Sequence, residues 1–136
     1  MLFSKIFTLT ALAASYTLAE EVFLSNCHRG SQARSAMFYY PGTYDGTIPP
    51  NNNQCFLSSY NDGPIHWEGT KRSCKFPTGV TFTSNLIATA HEQSYNTLVG
   101  TGDNGKPWDC YRDNDVALFT LPDGGTCFTI YRCFPV

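Results

Sequence analysis

The chain has 136 residues, a formal net charge of −2, 15% charged and 15% aromatic residues, and 6 Cys. That length builds one compact domain with no second core, and 42% hydrophobic content with so few charges excludes a disordered chain. No run of Lys and Arg occurs, so the acidic balance argues against a nucleic-acid partner.

The first residues carry one positive charge at Lys5. Ile6 to Ala14 is then apolar apart from two threonines, and Thr17-Leu18-Ala19 supplies small residues at a cleavage position. This is the pattern of a secretory signal peptide, with cleavage expected after Ala19. The apolar stretch is about half of the ~20 residues that a membrane-spanning helix needs. No later stretch is longer, so no membrane anchor is expected. The expectation is a signal peptide at 1–19 and a single secreted, disulfide-stabilised, β-rich domain at 20–136.

From there the chain reads as short strands separated by turn formers. Residues 21–27 begin apolar on both faces, which predicts a central strand. The aromatic run 36–40 ends at Pro41-Gly42, and 31–37 is a helix candidate. Pro49-Pro50-Asn51-Asn52-Asn53 is expected as an exposed loop. Segments 54–59 and 65–69 flank the Asn61-Asp62-Gly63-Pro64 turn and are expected to form a hairpin. Residues 80–84 alternate and are rich in β-branched side chains, which predicts a strand.

The strongest helical spacing lies over 85–93, with Leu86, Ala90 and Gln93 on one side and Ser84 as the cap. So short a helix forms only when packed against a sheet. Residues 96–101 return to strand, and 102–107 break it. The segments 116–121 and 126–134, joined by Pro122-Asp123-Gly124-Gly125, predict a β-hairpin. In its second strand Cys127, Thr129, Tyr131 and Cys133 share one face, and Phe128, Ile130, Arg132 and Phe134 share the other. The fold class expected is mainly β: a small antiparallel sheet or sandwich stapled by disulfides, with one or two short helices.

All six cysteines, Cys27, Cys55, Cys74, Cys110, Cys127 and Cys133, lie beyond the leader. An even number in a small exported domain predicts a disulfide framework. No Cys-x-x-Cys pair occurs, so zinc is not expected, nor is any other metal or cofactor. Fifteen pairings are open, and spacing alone does not choose among them. Cys55–Cys74 is preferred, because the hairpin at 62–64 would bring the two together. No Asn-x-Ser/Thr sequon occurs.

Several short motifs carry a family resemblance. Val22-Phe23-Leu24-Ser25-Asn26-Cys27, Ala36-Met37-Phe38-Tyr39-Tyr40, Trp67-Glu68-Gly69, Thr81-Phe82-Thr83-Ser84-Asn85 and Cys110-Tyr111-Arg112-Asp113 resemble a group of small secreted cysteine-containing proteins of filamentous fungi. The resemblance implies an effector-like protein acting on a host or a competing microbe, with a role in virulence. It implies no catalytic residues.

Candidate sites follow from the residues themselves. His66-Trp67-Glu68 sets an imidazole and a carboxylate on one side of a strand. With Arg72 or His91 this is the inventory of phosphodiester cleavage: Glu68 as base, His66 or His91 as acid, Arg72 on the phosphate. Small secreted guanyl-preferring fungal ribonucleases use the same residue types, although their local motifs are absent here. The plainer expectation is a solvated strand face with Trp67 in the core. Tyr39, Tyr40, Tyr44, Tyr60 and Trp67 are candidates for an aromatic platform that binds sugar rings or a protein. The same rings would also fill a core short of aliphatic residues.

Asp103, Asp109, Asp113 and Asp115, with Asn104 and Asn114, crowd one loop system, but their spacing misses a calcium loop and turn chemistry selects the same residues. Gly100-Thr101-Gly102-Asp103-Asn104-Gly105 cannot cradle phosphate, because Pro107-Trp108 follows where a helix must begin. The function expected is extracellular binding of a host or competitor protein or glycan by a monomer without catalysis. A secreted ribonuclease-like hydrolase and a growth-inhibiting toxin are the alternatives.

Overall fold

β1 (Glu21–Arg29) and β2 (Gln32–Tyr40) pair antiparallel from Glu21↔Tyr40 to Arg29↔Gln32. The two-residue turn between them needs a left-handed backbone at its first position, and Gly30 supplies it at φ +59°. These coordinates belong to a computed structural model that describes residues 19–136. The signal peptide expected at 1–19 lies, but for Ala19, outside the described residues. Of residues 31–37, expected as a helix, 32–37 are strand: β1 pairs their backbone along one side, and β3 takes the other side at Ala36 and Met37.

β3 (Gln54–Phe56), β4 (Lys71–Lys75), β5 (Thr81–Leu86), β6 (Leu98–Asp103), β7 (Pro107–Arg112), β8 (Ala117–Thr120) and β9 (Thr126–Pro135) complete the described strands. The sheet runs β3-β2-β1-β9-β7-β6-β5-β4, with β8 added on β9. All pairings between these strands are antiparallel. The sheet curls until its end strands meet, and Cys55–Cys74 ties β3 to β4 across the remaining gap. The expected mainly β, antiparallel, disulfide-stapled architecture is therefore what forms, as an almost closed barrel.

Helices are the exception. Residues 85–86 extend β5, paired to Thr101 and Gly100, and within 85–93 only Ala90–Glu92 makes a 3-10 turn, as Asn51–Asn53 does before β3. Leu86 and Ala90 are both buried in the barrel, so sheet pairing plus one tight turn satisfies them where a short helix would leave backbone groups unpaired. The expected hairpin at 54–69 does not form either. After β3, residues 57–69 make a long excursion that closes one end of the barrel, and β3 and β4 approach each other through sulfur instead of a turn.

Two apolar clusters result. Val22, Leu24, Met37, Trp67, Phe82, Trp108 and Tyr131 fill the barrel. Phe23, Cys27, Phe38, Tyr40, Leu118 and Cys127 form a second layer, between the outer side of β1 and β2 and the segment carrying β8. β1 is buried on both faces, as its apolar start predicts.

The C-terminal hairpin forms, but a register shift opposite Leu24 and Ser25 skips Ile130 on β9. Cys127 therefore lies in the outer layer and Cys133 in the barrel, although the period of two had put them on one face. Each finds the cysteine opposite it, Cys27–Cys127 on β1 and Cys110–Cys133 on β7.

β6 runs close against its neighbours because it carries Gly100 and Gly102. A Cβ at Gly102 would lie 2.4 Å from Phe82 Cζ, and one at Gly100 would lie 2.3 Å from the Asn85 carbonyl oxygen. Gly102, expected to break this strand, is instead part of it and helps it pass.

Candidate functional site

The barrel has one closed and one open end. At the closed end Trp67, 2% exposed, plugs the interior and donates its Nε1–H to Asn26 Oδ1 at 3.2 Å. The same Asn26 oxygen accepts from Ser35 Oγ at 2.7 Å, and Ser35 Oγ accepts from the Ile65 amide at 2.9 Å. This network pins residues 65–67 across the strand ends.

Above the plug lies a cleft of about 390 Å³ lined in part by Asn26, His66, Glu68, His91 and Glu92. His66, Glu68 and His91 thus meet on one surface. Glu68 Oε1 accepts a hydrogen bond from the Tyr131 hydroxyl, and Glu68 Oε2 lies 3.4 Å from His66 Nδ1. The Glu68 side chain is 9% exposed and that of His66 is 77% exposed. Burial, with the Glu68 carboxylate adding to it, pushes the Tyr131 hydroxyl pKa far up and keeps it a donor.

Arg72 does not join the cleft. Its Nε donates to the His66 carbonyl at 2.7 Å, so it braces the loop from β4. Arg112 holds the cleft from behind: it donates to the Ile130 carbonyl at 3.0 Å and the His91 carbonyl at 3.3 Å, and pairs with Asp115 at 3.1 Å.

The five aromatic candidates do not form one exposed platform. Trp67, Tyr40 and Tyr60 are buried. Tyr40 and Tyr44 stack edge-on with Phe23 at 5.7 and 5.4 Å in the outer layer. Tyr40 donates to the Thr47 carbonyl, and Tyr44 to that of Leu118. Tyr60 donates to Asp123, which also pairs with Arg34 at 2.9 Å. Tyr39 is half-buried against the barrel core. Rings this large lower the free energy most when desolvated, and a thin β core has room for them.

An aromatic surface lies elsewhere, on the outer face of β6, β7 and β9. Leu98, Tyr111 and Arg132 stand in register across these three strands. The Arg132 guanidinium lies 5.4 Å from the Phe134 ring centroid and 5.9 Å from that of Tyr95, while Tyr111 and Phe134 are 6.1 Å apart. Arg132 also donates to Asn96 Oδ1 at 3.0 Å. Tyr95 is 50% and Leu98 54% exposed. Tyr111, Arg132 and Phe134 are chain neighbours of Cys110 and Cys133, and because the structure places that disulfide inside the barrel, strand alternation turns them outward.

The acidic residues near 103–115 do not converge. Asp113 accepts from Thr129 Oγ1 at 3.0 Å and lies 3.5 Å from Arg132 Nε, whereas Asp103 caps the Gly105 amide at 2.7 Å. Among the described residues no three His, Cys, Asp or Glu are grouped to hold a metal ion. No helix among them is long and apolar enough to cross a membrane.

No known family, curated protein or solved structure matches this chain. Its own geometry carries the functional argument.

Proposed function

We propose that the chain is an exported, effector-like protein that acts outside the producing cell by binding a host or competitor protein or glycan. The contact surface is the outer face around Tyr95, Leu98, Tyr111, Arg132 and Phe134. The observation that supports it is the Arg132 guanidinium held between the Tyr95 and Phe134 rings on a sheet fixed by Cys110–Cys133. Tyr and Arg on a rigid sheet bind at low entropic cost, and such residues dominate contact energies. Three disulfides suit an oxidising compartment.

The test has two arms, a glycan array and a cross-linked pull-down from host tissue, both using the oxidised protein. Wild type captures a target in one arm, and Tyr95→Ala with Phe134→Ala weakens capture, each by about 2 kcal/mol. Equal capture by the double variant overturns the assigned face. Export is tested on the culture medium: mass spectrometry finds a chain beginning at Glu20 if the leader is removed as expected.

One observation favours a second reading, a ribonuclease-like hydrolase. His66, Glu68 and His91 share a cleft, and Glu68 is shielded and held by Tyr131. Glu68 would take the 2′-hydroxyl proton and an imidazole would protonate the leaving oxygen. Against it stands Arg72, whose Nε is committed to a backbone carbonyl. RNA cleavage abolished by Glu68→Gln supports this reading, and no cleavage by wild type removes it.

A further inference from the structure

We propose that the open end of the barrel is a binding site for a small neutral molecule built on fused rings with one hydrogen-bond acceptor. Here β1, β3, β5 and β7 begin and β2, β4, β6 and β9 end. A cavity of about 210 Å³ remains between them. Val22, Phe76, Val80 and Phe82 form its apolar wall, and Asn53 and Asn104 stand on its rim. The mouth of a small barrel is a place where ligands collect, because strand curvature leaves room that side chains do not fill.

The lining specifies the chemistry. No charged side chain belongs to it, and the nearby Lys106 and Glu20 neutralise one another at 2.8 Å. An ion entering this cavity would lose hydration without a partner, which selects a neutral ligand. Asn104 Oδ1 is already taken by the Trp108 indole N–H at 2.8 Å. That bond orients the amide and leaves its Nδ2–H₂ to donate, which suits a ligand that offers an acceptor.

Size follows from volume. A dry cavity of about 150 Å³ holds benzene, so 210 Å³ suits two fused rings. Val80, 46% exposed, adds apolar surface at the mouth that a ligand would cover.

The inference is independent of the outer-face reading. Methyl naphthyl ketone, naphthalene and naphthoate are titrated into the oxidised protein under amide-resolved NMR. The ketone is expected to shift Val22, Tyr39, Val80 and Phe82 saturably with one site, and more tightly than naphthalene. Naphthoate is expected to bind at least about tenfold more weakly than the ketone. Val80→Arg at the mouth is expected to weaken the ketone at least about tenfold, and Ile87→Arg, exposed just beyond the end of β5, to leave it unchanged. If Val80→Arg fails to fold, Thr78→Trp, also at the mouth, replaces it with the same expectation. Shifts that do not saturate, that centre on other residues, or that survive the mouth variants overturn the proposal.

Discussion

Cys55 on β3 and Cys74 on β4 stand across the seam between the sheet's two end strands, with Cα atoms 6.1 Å apart. Elsewhere around the barrel, neighbouring strands are joined by backbone hydrogen bonds. Here the closure is covalent, so the bond contributes directly to the stability of the seam.

Replacing both cysteines with alanine is expected to cost about 3 kcal/mol, from the chain entropy restored to a loop of 19 residues. Guanidinium titration measures the total. Hydrogen exchange locates it: amides of β3 and β4 should exchange first, while those of β1 and β9 keep their protection. Unchanged exchange at the seam would mean that packing alone holds the barrel shut.

Gly102→Ala tests the close passage of β6. The added methyl would meet Phe82 Cζ at 2.4 Å, and Phe82 stacks edge-on with Trp108 at 5.3 Å. Overpacking of this kind costs about 1–3 kcal/mol. The expected result is a lower denaturation midpoint and an altered near-ultraviolet circular dichroism signal from Trp108. A wild-type midpoint would show that β6 has slack.

Trp67→Phe removes the indole donor to Asn26 while keeping most of the plug. The loss is expected to be about 1–3 kcal/mol, one buried hydrogen bond plus a small void. Trp67→Ala should cost about 3–5 kcal/mol. If both variants lose the same amount, the ring's bulk contributes nothing and the plug assignment is wrong.

Alkaline stability follows from two buried hydroxyls. Tyr40 and Tyr131 are 6% and 0% exposed, and burial pushes both pKa values well above the ordinary 10.0. Above that pH an unfolded chain sheds protons that the folded one retains. The folded state is therefore fully favoured below pH 10 and loses about 1.4 kcal/mol per pH unit per tyrosine above it. Denaturation midpoints against pH, with tyrosinate absorbance followed in parallel, measure this. Tyr131→Phe should make the decline shallower, and a flat profile would contradict the burial.

Alternation and turn residues made much of the fold legible from the chain. The β1 start, the 80–84 strand and the C-terminal hairpin all read correctly, because each is a local pattern meeting local backbone geometry. The Cys55–Cys74 pair was anticipated for the wrong reason, since no hairpin joins those residues. The helical spacing at 85–93 misled because the same apolar residues satisfy a strand end followed by a 3-10 turn.

The candidate site divides in the same way. His66 and Glu68 are two apart on an extended segment, so their proximity is readable from the chain. His91 reaches the same cleft only because the plug and the 3-10 turn converge on one barrel end.

By itself, then, the sequence determined a mainly β, sulfur-bridged chain, since strand periodicity, turn chemistry and cysteine number are properties of neighbouring residues. The tertiary structure alone decided that the sheet closes on itself, that skipping Ile130 sends Cys127 and Cys133 into different layers, and that Tyr95, Tyr111 and Phe134 rather than Trp67 face outward. Those outcomes depend on curvature and register summed over strands far apart in the chain, and no local pattern encodes such a sum.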